Sequence, residues 1–242
     1  MKKTVIVSGS NRGIGRAIAL RLAQDGMNVV LCARDEDLLK KTAAEIGPNA
    51  HHVAVDLRQP DAAAKVVDAA VKKFGTVDVL VNNAGATKRG DFEELTDDDF
   101  IDGFALKYFA AVRLTRAAWP HLRTQKGSLV NIVGAGGRTP GALFSIGGSV
   151  NAAVLSFTKA ISEKGIQDGV QVNAINPGPV RTARLAAQLA STSEPEFLKQ
   201  HRIARIGEPE DIAALVAFVL SPHGRLLQGA LIDIDGGSTK TI

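Results

Sequence analysis

Seven short apolar runs alternate with helical segments along the chain, and this alternation limits its fold more than any other feature. The runs are TVIVSG (4–9), NVVLCA (28–33), HHVAVD (51–56), VDVLVNNAG (77–85), GSLVNIVG (127–134), VQVNAINPG (170–178) and ALIDIDGG (230–237). Most are rich in Val and Ile and stay apolar through the middle, which suits strands covered on both faces. Helical patterning fills 14–25, 35–46, 61–74, 97–123, 145–164 and 209–221. Strand then helix, repeated, predicts an α/β fold: a doubly wound parallel sheet with helices on both faces. No linker, repeat or low-complexity block interrupts the chain, so 1–242 is expected to form a single domain. The stretch 183–207 has no strand signal and is polar in its middle. It is expected to form helical pieces around a loop, a substrate loop or lid over a site.

Charge and composition exclude several functions. Lys and Arg number 29 against 25 Asp and Glu, for a net charge of +4, and they are interspersed. Without a basic block or an aromatic ladder, nucleic acid is not an expected partner. The one cysteine, Cys32, excludes an internal disulfide and sits in an apolar run, as an inert core thiol would. Lys2 and Lys3 precede an apolar run too short for a signal-peptide core. The longest apolar run, AALVAFVL at 213–220, is less than half a membrane span. A cytoplasmic protein without membrane contact is expected. His51 and His52 point to opposite faces of a strand, and His121, His201 and His223 are remote, so no metal site is expected.

The stretch SGSNRGIG (8–15) follows a strand and opens a helix. Gly9 permits a tight turn, Gly13 lets backbone approach a diphosphate, and Gly15 permits close helix packing. The helix N-terminus adds amide donors and partial positive charge.

This turn and five further motifs resemble the short-chain dehydrogenase/reductase family over nearly the whole length. They are VDL (55–57), NNAG (82–85), NPGPVRT (176–182), RIGEPEDIA (205–213) and DIDGG (233–237). The resemblance implies a single Rossmann-like, seven-stranded dinucleotide-binding domain that takes NAD(H) or NADP(H). It places the cofactor along Gly9, Ser10, Asn11, Arg12, Gly13, Ile14 and Gly15, then Asp56 and Leu57 at the adenine, and Asn83, Ala84 and Gly85 on the adenosine side. Pro177, Gly178, Val180 and Thr182 belong to the segment that holds the nicotinamide amide. Each residue also has a plain alternative. Asn82 and Asn83 can satisfy buried backbone groups, Asp56 can stabilise a turn, and Thr182 can cap a helix.

The family's catalytic set is Asn, Ser, Tyr and Lys, with Tyr-x-x-x-Lys at the start of a helix. Matching NAAVLSFTK (151–159) to the family's helix sets Gly147 at the tyrosine and Asn151 at the lysine. Gly134 then stands at the serine, and matching RAAWP (116–120) sets Lys107 at the asparagine. The chain's one tyrosine is Tyr108, so no frame shift brings a phenol into the helix that begins near 145. Two adjacent glycines leave space where an aromatic ring would stand. Either a bulkier ligand or the loop GAGGRTPG (134–141) is expected there.

Four functions stay open: a non-redox enzyme that has kept the fold, a structural subunit assembled with an active relative, and two that the cofactor motifs favour. One is an atypical oxidoreductase on a carbonyl or alcohol, with Lys107, Ser145 or Asn151 handling the proton and Arg138 a further candidate. The other is a cofactor-binding or regulatory protein without turnover. Lys107 has its own alternative, a polar contact to a carbonyl or a water. Asn151 is also a candidate for the nicotinamide ribose. Residues 86–95 and 183–200 are expected to shape the pocket for a small-molecule ligand. Ala33 stands where family members preferring NAD carry an acid, and Arg34 follows it. With Arg12 it offers two guanidinium groups to a 2′-phosphate, which favours NADP(H) over NAD(H) unless both simply face solvent. Apolar positions on more than one face of 97–123 and 145–164, among them Ala110, Ala111, Ala153, Leu155 and Phe157, predict a homo-oligomer, a tetramer or dimer.

Overall fold

A computed structural model describes residues 2–190 and 192–240; Ser191, inside the expected 183–207 lid, lies outside the described residues. The strands are β1 (Thr4–Ser8), β2 (Asn28–Ala33), β3 (Ala50–Ala54), β4 (Val79–Asn82), β5 (Ser128–Ile132), β6 (Gln171–Pro177) and β7 (Leu231–Ile234). They form one seven-stranded sheet in the order β3-β2-β1-β4-β5-β6-β7, and every pairing is parallel. The doubly wound α/β fold read from the alternation is the fold observed.

Successive side chains of a strand point to opposite faces, and the core divides accordingly. Val5, Val7, Val29, Leu31, Val79, Val81 and Val130 pack beneath α1 (Gly13–Gln24), α2 (Glu36–Ile46) and α9 (Pro209–Leu220). Ile6, Val30, Cys32, Leu80 and Leu129 face α3 (Ala62–Phe74) and α5 (Ala110–Gln125). Val154 and Leu155 of α6 (Ser145–Asp168) cover Ala174 of β6 on their own patch of core. The inner strands are apolar without alternation because both faces are roofed. Burial pushes the Cys32 thiol up to about 12, as expected of an inert core thiol.

Boundaries differ where patterning could not see the winding. The expected helix 97–123 is three pieces: α4 (Asp97–Gly103), a π-helical segment Phe104–Phe109, and α5. A Cβ on Gly103 would stand 2.6 Å from Ile146 Cγ2, so α4 crosses α6 at backbone range. The apolar pattern of FALKYF reads as helix at either winding. Helix α6 runs on to Asp168, until Gly169 takes a positive φ of 76°. The stretch 183–207 contains α7 (Ala183–Leu189) and α8 (Glu194–His201). No helix among the described residues is long and apolar enough to cross a membrane.

Of the apolar positions read as a second helix face, Ala110, Ala111 and Leu155 are buried in the chain's own core. Ala153 and Phe157 remain partly exposed.

Candidate functional site at the carboxyl edge of the sheet

Strand order reverses around β1 and β4, and the crevice outside their carboxyl ends is where such sheets hold ligands. Gly9 turns the chain there with φ 66°, and Gly13 opens α1 with φ 55°. A Cβ on Gly15 would lie 2.3 Å from the Gly9 carbonyl oxygen and 2.4 Å from Asn83 Nδ2, so only glycine fits. Asn83 ties this turn to β4: its Nδ2 donates to the carbonyls of Ser8 (2.9 Å) and Gly9 (3.2 Å). Ser8 Oγ accepts from the amides of Asn83 and Ala84 at 2.9 and 3.0 Å. Asn82 points the other way, donating to Asn131 Oδ1 (2.9 Å) and Thr115 Oγ1 (3.1 Å) in the interior. Both asparagines thus satisfy buried groups, and Asn83 also shapes the turn.

Other turn residues divide between support and exposure. Ser10 is fully buried, and its Oγ accepts from the Cys32 amide at 3.1 Å, so only its backbone can face a ligand. Arg12 precedes α1 in extended conformation, and no side chain caps the helix. The first amides of α1 are therefore left to an anion, beside Asn11, Gly13 and Ile14. Arg12 and Arg34 are both exposed, and neither has a carboxylate partner among the described residues. Asp56 stabilises its own turn by accepting from the Arg58 amide at 3.0 Å. Leu57 is buried in the core, which leaves its main chain for contact.

The opposite wall is the segment after β6. Thr182 stands across from the glycine turn, with its Cγ2 3.3 Å from where a Gly13 Cβ would be. It occupies the N-cap position of α7 without capping it, and its Oγ1 donates to the Val180 carbonyl at 3.3 Å. Pro177 ends β6, and Gly178 passes so near Asp235 that a Cβ would lie 2.7 Å from Asp235 Cα. The motif RIGEPEDIA holds this wall in place. Arg181 N donates to the Gly207 carbonyl (2.7 Å), Gly207 N donates to that of Pro179 (2.9 Å), and Val180 is buried beside them.

Lys107 lies in the π-helical segment, and its ammonium donates to the Val133 carbonyl just beyond β5. Its stem rests on Gly85, where a Cβ would stand 2.8 Å from Lys107 Cδ. The residue is half-buried. Burial, and secondarily the Arg184 guanidinium, push its pKa down to about 7. Behind it lies a cavity of about 10 Å³, lined by Ser8, Asn82, Ala84 and Ile132 among others, about the room one water needs.

The other candidates do not join Lys107. Ser145 Oγ and Asn151 Oδ1 are buried without a hydrogen-bond partner among the described residues. Asn151 faces the glycine loop instead, its Nδ2 3.0 Å from where a Gly134 Cβ would be. Arg138 is engaged elsewhere: Nη2 donates to the Leu231 carbonyl at 3.2 Å, and Nε lies 3.3 Å from Asp233 Oδ1 in an ion pair too poorly aligned for a hydrogen bond. Tyr108 packs edge-on against Phe104, Phe109 and Phe157.

The space beside Gly147 is filled by Phe144. A Cβ on Gly147 would fall 2.0 Å from Phe144 Cζ, and one on Gly136 would lie 2.8 Å from Phe144 Cε1. Pro140 closes on Gly148 in the same way, at 2.6 Å. The adjacent glycines of α6 thus admit one ring and one proline from the preceding loop. Sequence reading named the loop 134–141 as a possible occupant and missed Phe144. The Arg89 guanidinium lies over the Phe144 ring, 4.4 Å from its centroid. Arg184 was also missed as an individual residue; its Nη2 donates to the Gly85 carbonyl at 2.7 Å. Both arginines fall in the stretches expected to shape the pocket, but a lone Arg in a loop carries no signal of direction.

Comparison with known proteins agrees with this geometry. The family model described as enoyl-(acyl carrier protein) reductase matches residues 9–239. An uncharacterised oxidoreductase of Mycobacterium tuberculosis is 35% identical, over 98% of this chain and 92% of its own. L-sorbose reductase of Gluconobacter frateurii, solved with NADPH and L-sorbose, superposes with a TM-score of 0.94 at 30% identity, covering 100% of this chain and 98% of that one. A short-chain dehydrogenase/reductase of Brucella melitensis superposes with a TM-score of 0.93 at 29% identity over 100% of both chains. With a seven-stranded parallel sheet, the glycine turn at its switch point and a family match over nearly the full length, the chain belongs to the short-chain dehydrogenase/reductase family, a family of oxidoreductases.

Proposed function

We propose that this protein is an NADP(H)-dependent oxidoreductase that interconverts a carbonyl and an alcohol without the family's usual Asn-Ser-Tyr-Lys set, and that Lys107 carries the proton. The observation behind this reading is the Lys107 ammonium, held at the carboxyl edge of the sheet with its pKa brought down to about 7. A group titrating near neutrality serves as acid in one direction and base in the other. The bond to Val133 uses one of the three ammonium protons, which leaves donors for a substrate oxygen.

The cofactor cradle fits a dinucleotide. The uncapped start of α1 and the positive-φ glycines present amides to a diphosphate, and Thr182 with Pro177, Gly178 and Val180 forms the far wall. When bound, the nicotinamide supplies or accepts the hydride. Arg12 and Arg34 are available for a 2′-phosphate. A hydrogen bond to a charged group contributes roughly 1.5–3 kcal/mol. Arg12→Ala and Arg34→Ala are each expected to weaken NADP(H) binding by about tenfold or more and to leave NAD(H) binding unchanged. Calorimetry that finds NAD(H) bound as tightly as NADP(H) by the unmodified protein removes the preference.

In reduction, the Lys107 ammonium gives a proton to the oxygen of the nascent alcohol. In oxidation, the neutral amine takes it back. Phe144 fills the space beside Gly147, the position matched to the family's tyrosine, so no phenol stands there. Steady-state NADPH oxidation across a broad carbonyl panel tests the reading. Cofactor binding with no turnover on any member would instead favour the regulatory alternative.

The protein is further expected to self-associate. A groove of about 330 Å³ runs between the outer faces of α5 and α6, lined by Val112, Trp119, Pro120, Phe157 and Ile161 among others. An apolar surface of this kind on paired helices suits a second copy of the chain. Light scattering at micromolar concentration is expected to give a dimer or tetramer mass, and a monomer mass contradicts it.

A further inference from the structure

The residues around Gly85 carry an unbalanced charge. Lys107 lies on one side of this glycine with its stem against it, and Arg184 donates to its carbonyl. Arg89, on the same loop, lies over Phe144, whose ring rests on Gly147. Arg184 lowers the pKa of Lys107, and Arg184 is itself lowered, first by crowding from surrounding protein and then by Arg12 and Arg89. Arg184 and Arg89 keep a solvent-open side, so water and a ligand can both reach them.

Several other arginines are matched with acids. Arg16 pairs with Glu45, Arg58 with Asp56 and Asp102, Arg181 with Glu194 and Glu208, and Arg205 with Asp211. Among the described residues, no carboxylate lies within ion-pair distance of Arg12, Arg89, Lys107 or Arg184. Like charges that converge without an acid are costly, and an anionic ligand relieves that cost.

We propose that Arg89 and Arg184 bind an anionic group, a carboxylate or a phosphate, borne by the carbonyl substrate. This rests on the oxidoreductase reading for the word substrate, but the anion site itself does not. Arg12 and the amides of α1 lie at the glycine turn and serve the cofactor, the amides its diphosphate and Arg12 its 2′-phosphate. Arg184 lies on the Gly85 carbonyl, beside the proton-carrying Lys107, and Arg89 lies over Phe144. Arginine suits both anions because its planar fork meets two oxygens at once. An anion seated on Arg184 also offsets that residue's repulsion of Lys107, so binding returns Lys107 toward its charged, proton-donating form.

The test uses the NADP⁺-loaded protein and matched ligands in calorimetry: 4-oxopentanoate against its methyl ester, and dihydroxyacetone phosphate against dihydroxyacetone. The anion of at least one pair is expected to bind about tenfold or more tightly than its neutral partner. The better pair identifies the group. Arg89→Met and Arg184→Met are each expected to remove most of that difference while keeping NADP⁺ affinity, and Arg→Lys at either position is expected to restore part of it. Thermal unfolding of each variant confirms that it is folded. Equal binding of anion and neutral partner in both pairs overturns the proposal. So does a loss in the Met variants that falls on NADP⁺ rather than on the anion, which would assign the arginines to the cofactor. The two readings fail separately. Tight anion binding without NADPH oxidation leaves the anion site standing and sinks the redox reading. Ready oxidation of NADPH by neutral ketones, with no preference for anions, does the reverse.

Discussion

Lys107→Met is expected to lower NADPH-dependent carbonyl reduction by about 10²–10⁴-fold, the range that general acid catalysis contributes, while cofactor affinity stays essentially unchanged. The pH profile sharpens the test. Reduction needs the ammonium form, so kcat/KM of the unmodified protein should fall as pH rises through about 7. The variant's residual rate should lack that limb. Undiminished turnover in Lys107→Met rules Lys107 out of the chemistry. Stability gives an independent readout that a merely structural lysine with an ordinary pKa would not move. The folded-state pKa lies below the ordinary value of 10.5. Between the two values the unfolded chain binds more protons, so this group makes stability rise with pH from about 7 upward. Below that window the enclosed charge is a full penalty. Lys107→Met should therefore raise the Tm at pH 6, and the gain should shrink toward pH 10. A gain that is flat with pH would show that the ammonium is not desolvated in the folded protein.

Gly147→Tyr, made alone, is expected to destabilise the protein by at least the 1–3 kcal/mol or so of an overpacked core and to bring no activity. The reason is the Phe144 ring, which already lies 2.0 Å from the Cβ that any side chain would introduce. Phe144→Ala in the same chain should recover much of the lost stability, because it vacates the volume a phenol needs. The obvious restoration of the family set is Gly134→Ser, Gly147→Tyr, Asn151→Lys and Lys107→Asn. It should fail without Phe144→Ala for that reason. It faces a second obstacle at Gly134, whose φ of 138° strains any side chain. Thermal unfolding and NADPH oxidation on the same preparations check both statements. A Gly147→Tyr protein as stable as its parent would show that Phe144 leaves its place freely.

The fold was legible because each apolar run had one meaning. Runs such as VVLC and VLVN lack alternation, and a strand roofed on both faces accounts for that at their length. The glycine turn was legible too, since the positive φ of Gly9 and Gly13 and the contact at Gly15 are backbone requirements that no other residue meets. Side-chain direction was not legible. Arg138 and Arg184 look equivalent in the sequence, but one is taken by Asp233 and the other bends back to Gly85. The role of Phe144 was hidden for a related reason. The double glycine announces that something comes close, but not whether a ligand, a loop or a ring does so. Lys107 was found only because the motifs around it fixed the alignment. Its bond to Val133 depends on the loop after β5, remote in sequence.

The π-helical segment Phe104–Phe109 has a consequence for how insertions and deletions would act. Each residue of an α-helix turns the chain by about 100°, and the wider winding accommodates extra chain between two ends that are both fixed. One end is α4, pinned by the capping box of Thr96 and Asp99 and by the ion pair of Asp102 with Arg58. The other is α5, fixed in the core by Ala110, Leu114 and Leu122. The aim of Lys107 is thus a matter of phase as much as of residue type. Loss of a single residue between 104 and 106 would let the winding tighten to an ordinary α-helix with α4 and α5 still in step. It would swing the lysine off the sheet edge, although every motif along the chain would still read the same.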